Sequence, residues 1–118
     1  MLRNRGRKMI KKEVVSDLDS VYNYYDGEVV LGYIEVRNID GIVDIINVYT
    51  SPEYRRKGIA SSLFKYLFEN EDYSRIMLEV NENNLEAIRL YSKLGFNEIS
   101  VRERYYGSDT AIIMEKVK

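Results

Sequence analysis

Val48-Tyr49-Thr50-Ser51-Pro52-Glu53-Tyr54-Arg55-Arg56-Lys57-Gly58-Ile59-Ala60 joins the end of a strand to the start of a helix. The run before it, residues 42–48, is short and rich in β-branched side chains, which predicts a strand. After it, Ile59, Leu63, Tyr66 and Leu67 recur at helical spacing, which predicts a helix over residues 58–69. Pro52, the chain's single proline, marks the turn between them. The first amides of a helix lack internal partners, and Gly58 lets backbone come close to a ligand without an intervening Cβ. Arg55, Arg56 and Lys57 flank those amides. Free N–H donors, the positive helix end and fixed cations together suit a pyrophosphate. A basic turn that simply begins a solvated helix satisfies the same residues.

The 118 residues have room for one domain, residues 1–118, with one core. A formal net charge of -1 argues against a general polyanion binder. Basic residues gather at the front, with Arg3, Arg5, Arg7, Lys8, Lys11 and Lys12 among residues 1–12. That segment reads as a polar, flexible basic arm, and nucleic acid is not expected as a partner. No apolar stretch is long enough to span a bilayer and no signal-peptide core opens the chain, so a cytoplasmic, membrane-free protein is expected. The absence of cysteine and histidine removes thiolate chemistry and the usual proton shuttle. Acid–base work then falls to Glu, Asp, Tyr, Lys or water, and no metal is expected.

Residues 16–20 read as a loop or single helical turn. Residues 22–25 and 28–36 form a hairpin about an Asp26-Gly27 turn. A second break at Asn38-Ile39-Asp40-Gly41 leads into the 42–48 strand, so the first half is an antiparallel meander. In the second half, residues 75–80 suit a buried strand parallel to 42–48. Asn83 or Asn84 caps a helix over residues 85–94 that stops at Gly95. Two further strands, from Phe96 to about residue 105 and over 111–117, join through Gly107-Ser108-Asp109. The product is an α+β fold, a mixed β-sheet with flanking helices.

Arg55-x-x-Gly58-x-Ala60 resembles the Gln/Arg-x-x-Gly-x-Gly/Ala signature of the GNAT superfamily of acetyl-CoA-dependent N-acetyltransferases. Leu78-Glu79-Val80 followed by Asn83-Asn84-x-x-Ala87-Ile88-x-Leu90-Tyr91-x-x-Leu94-Gly95-Phe96 is the more specific likeness. Within the superfamily it is similar to the ribosomal-protein-alanine and other N-terminal acetyltransferases. That group shares the segments Gly95-Phe96-Asn97-Glu98, Arg104-Tyr105-Tyr106 and Asp109-x-Ala111-Ile112-Ile113-Met114. The resemblance spans about residues 22–118 and implies the GNAT fold with acetyl-CoA as co-substrate. Such relatives carry a longer front end, a strand and one or two helices that wall the acceptor groove. A shortened N-terminal part here implies a groove that is open or completed by a second subunit as a homodimer.

The resemblance also implies roles. The backbone of Val48, Tyr49 and Thr50 would receive the pantetheine arm, with the Val48 N–H as oxyanion donor. Arg56, Lys57, Gly58, Ile59, Ala60 and Ser61, following Arg55, would hold the pyrophosphate. Asn84 would contact the cofactor; its rival role is the helix N-cap, and both hold at once only if the side chain of Asn83 does the capping. Tyr91 matches the tyrosine that protonates the leaving thiolate; its other reading is a core aromatic on the helix face shared with Ala87 and Leu94. Glu79 matches the proposed base, and its other reading is an ion pair with a neighbouring-strand Arg or Lys. A carboxylate in an apolar strand is costly to bury without such a purpose. Glu35 is the fallback base, and Tyr105 and Tyr106 match aromatics that line the peptide groove.

Reference pKa values bear on the acceptor: an α-amine near 7.7–8.0 is roughly a tenth neutral at pH 7, a lysine near 10.4 only about once in 2,500 molecules. The expected activity is therefore acetyl transfer to the α-amino group of a protein or peptide. The alternatives are lysine or small-amine acetylation, or a non-catalytic acetyl-CoA-binding module.

Overall fold

The structure, a computed structural model, describes residues 7–103 and 109–118. Tyr105 and Tyr106 and the Gly107-Ser108 link lie outside the described residues. Among the described residues, seven strands and two α-helices follow the order β1 (Lys8–Val14), β2 (Asp19–Asp26), β3 (Val29–Ile39), β4 (Ile42–Thr50), α1 (Ile59–Asn70), β5 (Arg75–Asn81), α2 (Leu85–Lys93), β6 (Asn97–Arg102) and β7 (Ala111–Val117). The sheet is mixed, with strand order β1-β2-β3-β4-β5-β7-β6, the α+β arrangement expected from the sequence. No helix among the described residues is long and apolar enough to cross a membrane. The chain forms two compact units, one running through Arg37 and including Ile46–Glu71, the other formed by Asn38–Ile45 and Asp72–Lys118.

In the first unit, β1, β2 and β3 make an antiparallel meander. Its hairpin turns on Gly27 and Glu28, one residue later than Asp26-Gly27, because Asp26 pairs with Val29. Gly27, at φ 65°, supplies the positive φ such a tight turn needs. The basic arm expected over residues 1–12 gives way at Lys8 to an edge strand. Its backbone pairs with β2 throughout while nearly every side chain stays exposed, so no apolar alternation announced it. Lysines along such an edge discourage pairing with other chains. Residues 16–18 form a bend, and β2 has begun by Asp19.

Helix α1 buries Ile59, Leu63, Phe64 and Leu67, and Tyr66 meets the ring of the buried Tyr22 edge-on at 6.0 Å. Tyr22, Ile34 and Val36 form the sheet side of this core. Each fully buried aliphatic side chain contributes about 1.5–3 kcal/mol.

In the second unit, β4 pairs in parallel with β5, with Ile42, Val43 and Asp44 opposite Arg75, Ile76 and Met77. The preceding turn uses two left-handed residues, Asp40 at φ 51° and Gly41 at φ 89°, the requirement of a two-residue hairpin turn. Strand β5 continues antiparallel to β7, which pairs with β6. Ile76, Leu78, Val80, Phe96, Ala111 and Met114 are buried in this unit.

Candidate functional site

In the first unit the loop between β4 and α1 is built by short-range bonds. The Ser51 N–H donates to the Leu31 carbonyl at 2.8 Å, fixing the end of β4 to β3. Pro52–Tyr54 form one 3₁₀ turn. The Arg55 Nε–H then donates to the Thr50 carbonyl at 3.0 Å, so Arg55 closes the loop on itself. Lys57 lies over the Tyr54 ring at 5.7 Å. Arg56 at φ 63° and Gly58 at φ 83° both take the left-handed conformation, after an extended Arg55.

Gly58 is the N-cap of α1, and no side chain caps the helix. The Ser62 N–H reaches the Gly58 carbonyl at 2.9 Å; the amides of Ile59, Ala60 and Ser61 precede that first helical bond. A Cβ built on Gly58 would meet nothing within 4 Å, so the space above the glycine is open. Glycine is set there by its φ and not by crowding. These residues fit a diphosphate: uncapped amides, a helix of 12 residues behind them and exposed cations beside them.

Gly32 is a site-shaping residue that the sequence reading passed over. A Cβ there would lie 2.8 Å from the Tyr49 carbonyl oxygen and 3.0 Å from Ile59 Cγ2. Its bareness lets the last turn of β4 and the first residue of α1 approach β3. A glycine inside a strand pattern was the available signal.

In the second unit, Asn84 caps α2, its Oδ1 accepting from the Ala87 N–H at 3.2 Å. Asn83 does not cap; its own N–H donates to Asn81 Oδ1 at 2.7 Å, and Asn81 Nδ2 donates to Asp109 Oδ2 at 2.9 Å. At the other end, the Phe96 N–H donates to the Tyr91 carbonyl at 3.0 Å and the Gly95 N–H to the Ser92 carbonyl at 3.1 Å. With Gly95 at φ 99°, this is a Schellman closure, and the Tyr91 and Phe96 rings, 5.9 Å apart, supply its apolar contact. Tyr91 is thereby fixed and buried. Burial pushes its phenol above the ordinary value of 10, which keeps it protonated.

Glu79 departs from the expected burial. Alternation along β5 turns Ile76, Leu78 and Val80 inward and Glu79 outward, leaving its side chain 33% exposed. Arg102 of β6 forms an ion pair and hydrogen bond with it. Glu79 stands opposite Ile113 and Arg102 opposite Ala111 on the intervening β7, so the guanidinium reaches over that strand. The sequence named a neighbouring-strand cation as one partner for Glu79; Arg102 is two strands away and was not singled out.

Glu35, half-buried on β3, belongs to the first unit with Val48, Tyr49 and Thr50. Among the described residues no cluster of His, Cys, Asp or Glu could hold a metal ion.

The profile described as "Acetyltransferase (GNAT) family" matches residues 6–96. The chain belongs to the acetyltransferase (GNAT) family. This GNAT chain is 38% identical over 77 residues to the [Ribosomal protein bS18]-alanine N-acetyltransferase of Escherichia coli K12, covering 59% of this chain and 52% of that protein. It is 33% identical over 95 residues to an N-alpha-acetyltransferase of Saccharolobus solfataricus, covering 75% and 57%. The chain thus spans about half the length of the curated relatives it matches. Among solved structures, a GNAT family acetyltransferase from Elizabethkingia anophelis with acetyl-CoA bound superposes at a TM-score of 0.81. That match has 14% identity and covers 97% of this chain and 100% of the other.

Proposed function

We propose that this GNAT chain is an acetyl-CoA-dependent N-acetyltransferase whose acceptor is the α-amino group of a protein or peptide. The observation that carries this reading is the uncapped start of α1, with left-handed Arg56 and Gly58 and open space over the glycine. Acetyl-CoA, when bound, supplies a thioester carbonyl for attack by an uncharged amine, with departure of the CoA thiolate.

Residues 56–61 hold the diphosphate through main-chain N–H groups and the helix dipole. The backbone of Val48, Tyr49 and Thr50 receives the pantetheine arm as an added strand, and the Val48 N–H donates to the developing oxyanion. Asn84, not Asn83, caps α2, which the sequence reading took to exclude a cofactor contact; its amide NH₂, unused by the cap, is the group we assign to the cofactor. Tyr91, kept protonated by burial, gives its proton to the departing sulfur. Glu79 takes the proton from the amine, directly or through one water, and Arg102 holds its carboxylate in place.

The preference for an α-amine rests on its neutral fraction at pH 7, roughly a tenth, against about one in 2,500 for lysine. The names of the Escherichia coli and Saccharolobus relatives support the same choice. A cofactor-binding module without efficient turnover is the second reading, favoured by the hold of Arg102 on Glu79.

Incubating the protein with acetyl-CoA and peptides beginning with Ala, Ser, Met or Gly, beside lysine peptides with blocked ends, tests both. Release of free CoA and a mass gain on the open N-termini are expected. Acetylation confined to the blocked lysine peptides would reverse the acceptor choice, and binding without release would favour the second reading.

A further inference from the structure

The loop between β4 and α1 lies wholly in the first unit, as does Leu31 of β3, which anchors its start. Two bonds fix its first half: the Ser51 N–H donates to the Leu31 carbonyl and the Tyr54 N–H to the Ser51 carbonyl, both at 2.8 Å. The second half is held less tightly by its backbone. The Arg55 N–H stands 3.5 Å from the Pro52 carbonyl, a long contact, and Arg55 itself is extended. The next residue, Arg56, takes a left-handed φ of 63°. A residue with a Cβ keeps that conformation only where its surroundings hold it there.

The Arg55 side chain crosses this loop. Its Nε–H donates to the Thr50 carbonyl at 3.0 Å, joining the last residue of β4 to the residue just before the left-handed step. A peptide carbonyl asks for an N–H donor and not for a net charge. The bond therefore uses the geometry of the side chain, while the guanidinium stays exposed to water. A loop ordered in advance pays its ordering cost before the ligand arrives, so whatever orders it is read out as affinity.

We propose that Arg55 is a positioning residue: its side chain is a strut that sets the left-handed step at Arg56 and so aims the amides of residues 57–61 before a diphosphate binds. This deepens the acetyl-CoA reading and rests on it. Among the three cations of the loop, Arg55 then acts through the backbone, and its charge is dispensable. The two roles separate cleanly, since a strut needs an N–H at the right reach and a phosphate partner needs a positive charge.

Two neutral replacements of matched length make the test. Glutamine places an amide N–H as many bonds from Cα as the Arg55 Nε, and methionine reaches as far with no donor. Coenzyme A is titrated calorimetrically into wild type, Arg55→Gln and Arg55→Met at low and high NaCl, with a melting curve on each. Arg55→Met should bind about three- to tenfold more weakly, the weight of one hydrogen bond. Arg55→Gln should recover most of that loss and keep the salt dependence of wild type. Arg55→Gln as weak as Arg55→Met, with a flatter salt dependence, would overturn the strut and make Arg55 a charge partner of the diphosphate. Full affinity in Arg55→Met would overturn it too. Amide hydrogen exchange reads the same strut without ligand: Arg55→Met should speed exchange over residues 54–61 and Arg55→Gln should not. If wild type binds no coenzyme A, the cofactor reading fails and the exchange rates alone decide the strut; equal rates in wild type and Arg55→Met would overturn it.

Discussion

Tyr91 and Phe96 close the end of α2 on each other, the Phe96 amide donating to the Tyr91 carbonyl at 3.0 Å while their rings meet at 5.9 Å. The backbone bond and the ring contact do not depend on the phenol oxygen. Tyr91→Phe should therefore unfold within about 1 kcal/mol of wild type in urea, yet lose 10²–10⁴-fold in turnover if the hydroxyl is the acid, as is typical of general acids. Tyr91→Ala removes the ring and should cost about 3–5 kcal/mol. Unchanged turnover in Tyr91→Phe removes that residue from the chemistry.

The pair of Arg102 and Glu79 separates stability from activity. Their side chains are 63% and 33% exposed, and pairs so open to water contribute about 1 kcal/mol or less. Arg102→Ala should leave the urea midpoint nearly unchanged and lower turnover several-fold through a less fixed carboxylate. Glu79→Gln should lower turnover by about 10² or more while leaving acetyl-CoA affinity in place, read by calorimetry. A loss of affinity equal to the loss of turnover would contradict the assignment.

The cluster of Glu71, Tyr22 and Lys12 behaves differently because it is shielded. Tyr22 donates to Glu71 Oε1 at 2.5 Å, and Lys12 Nζ stands 3.0 Å from the same oxygen, on a carboxylate only 5% exposed. Removing one partner strands a buried charge, so Lys12→Met and Tyr22→Phe should each cost about 1–3 kcal/mol. Arg37→Ala, at the exposed pair with Asp19, should cost about 1 kcal/mol or less.

Alkaline pH should weaken the fold. Burial, then the bond to Glu71, raises the Tyr22 phenol far above 10, and burial raises Tyr91. Below the unfolded value of about 10, both states keep these protons and stability is flat. Above it, the unfolded chain releases protons that the folded chain retains, so stability falls as pH rises. Melting temperatures at pH 8, 10 and 11 should drop between the last two, less steeply in Tyr22→Phe.

Much of this architecture was legible because its signals are local. The apolar runs of β4 and β5, Asn84 before α2 and Gly95 after it, and the Pro52-to-Gly58 loop are each read within a few residues. What was missed depends on distant partners. Strand β1 is held by backbone pairing with Asp19–Asp26, and its lysines give no periodic pattern. The hairpin turn moved one residue because pairing of Asp26 with Val29 fixes it. Phe64 is buried beside the predicted stripe of Ile59, Leu63 and Leu67. The partner of Glu79 lies across β7, and the need for Gly32 lies in Tyr49 and Ile59; neither contact has a sequence spacing that announces it.

The most direct measurement is calorimetric titration of coenzyme A into the wild-type protein and into Gly58→Val, with a melting curve on each. Saturable one-to-one binding is expected in wild type. The variant, still folded, should bind at least about tenfold more weakly, because the side chain fills the space above the α1 amides and disfavours φ 83°. No binding to wild type, or equal affinity in the folded variant, would contradict the account.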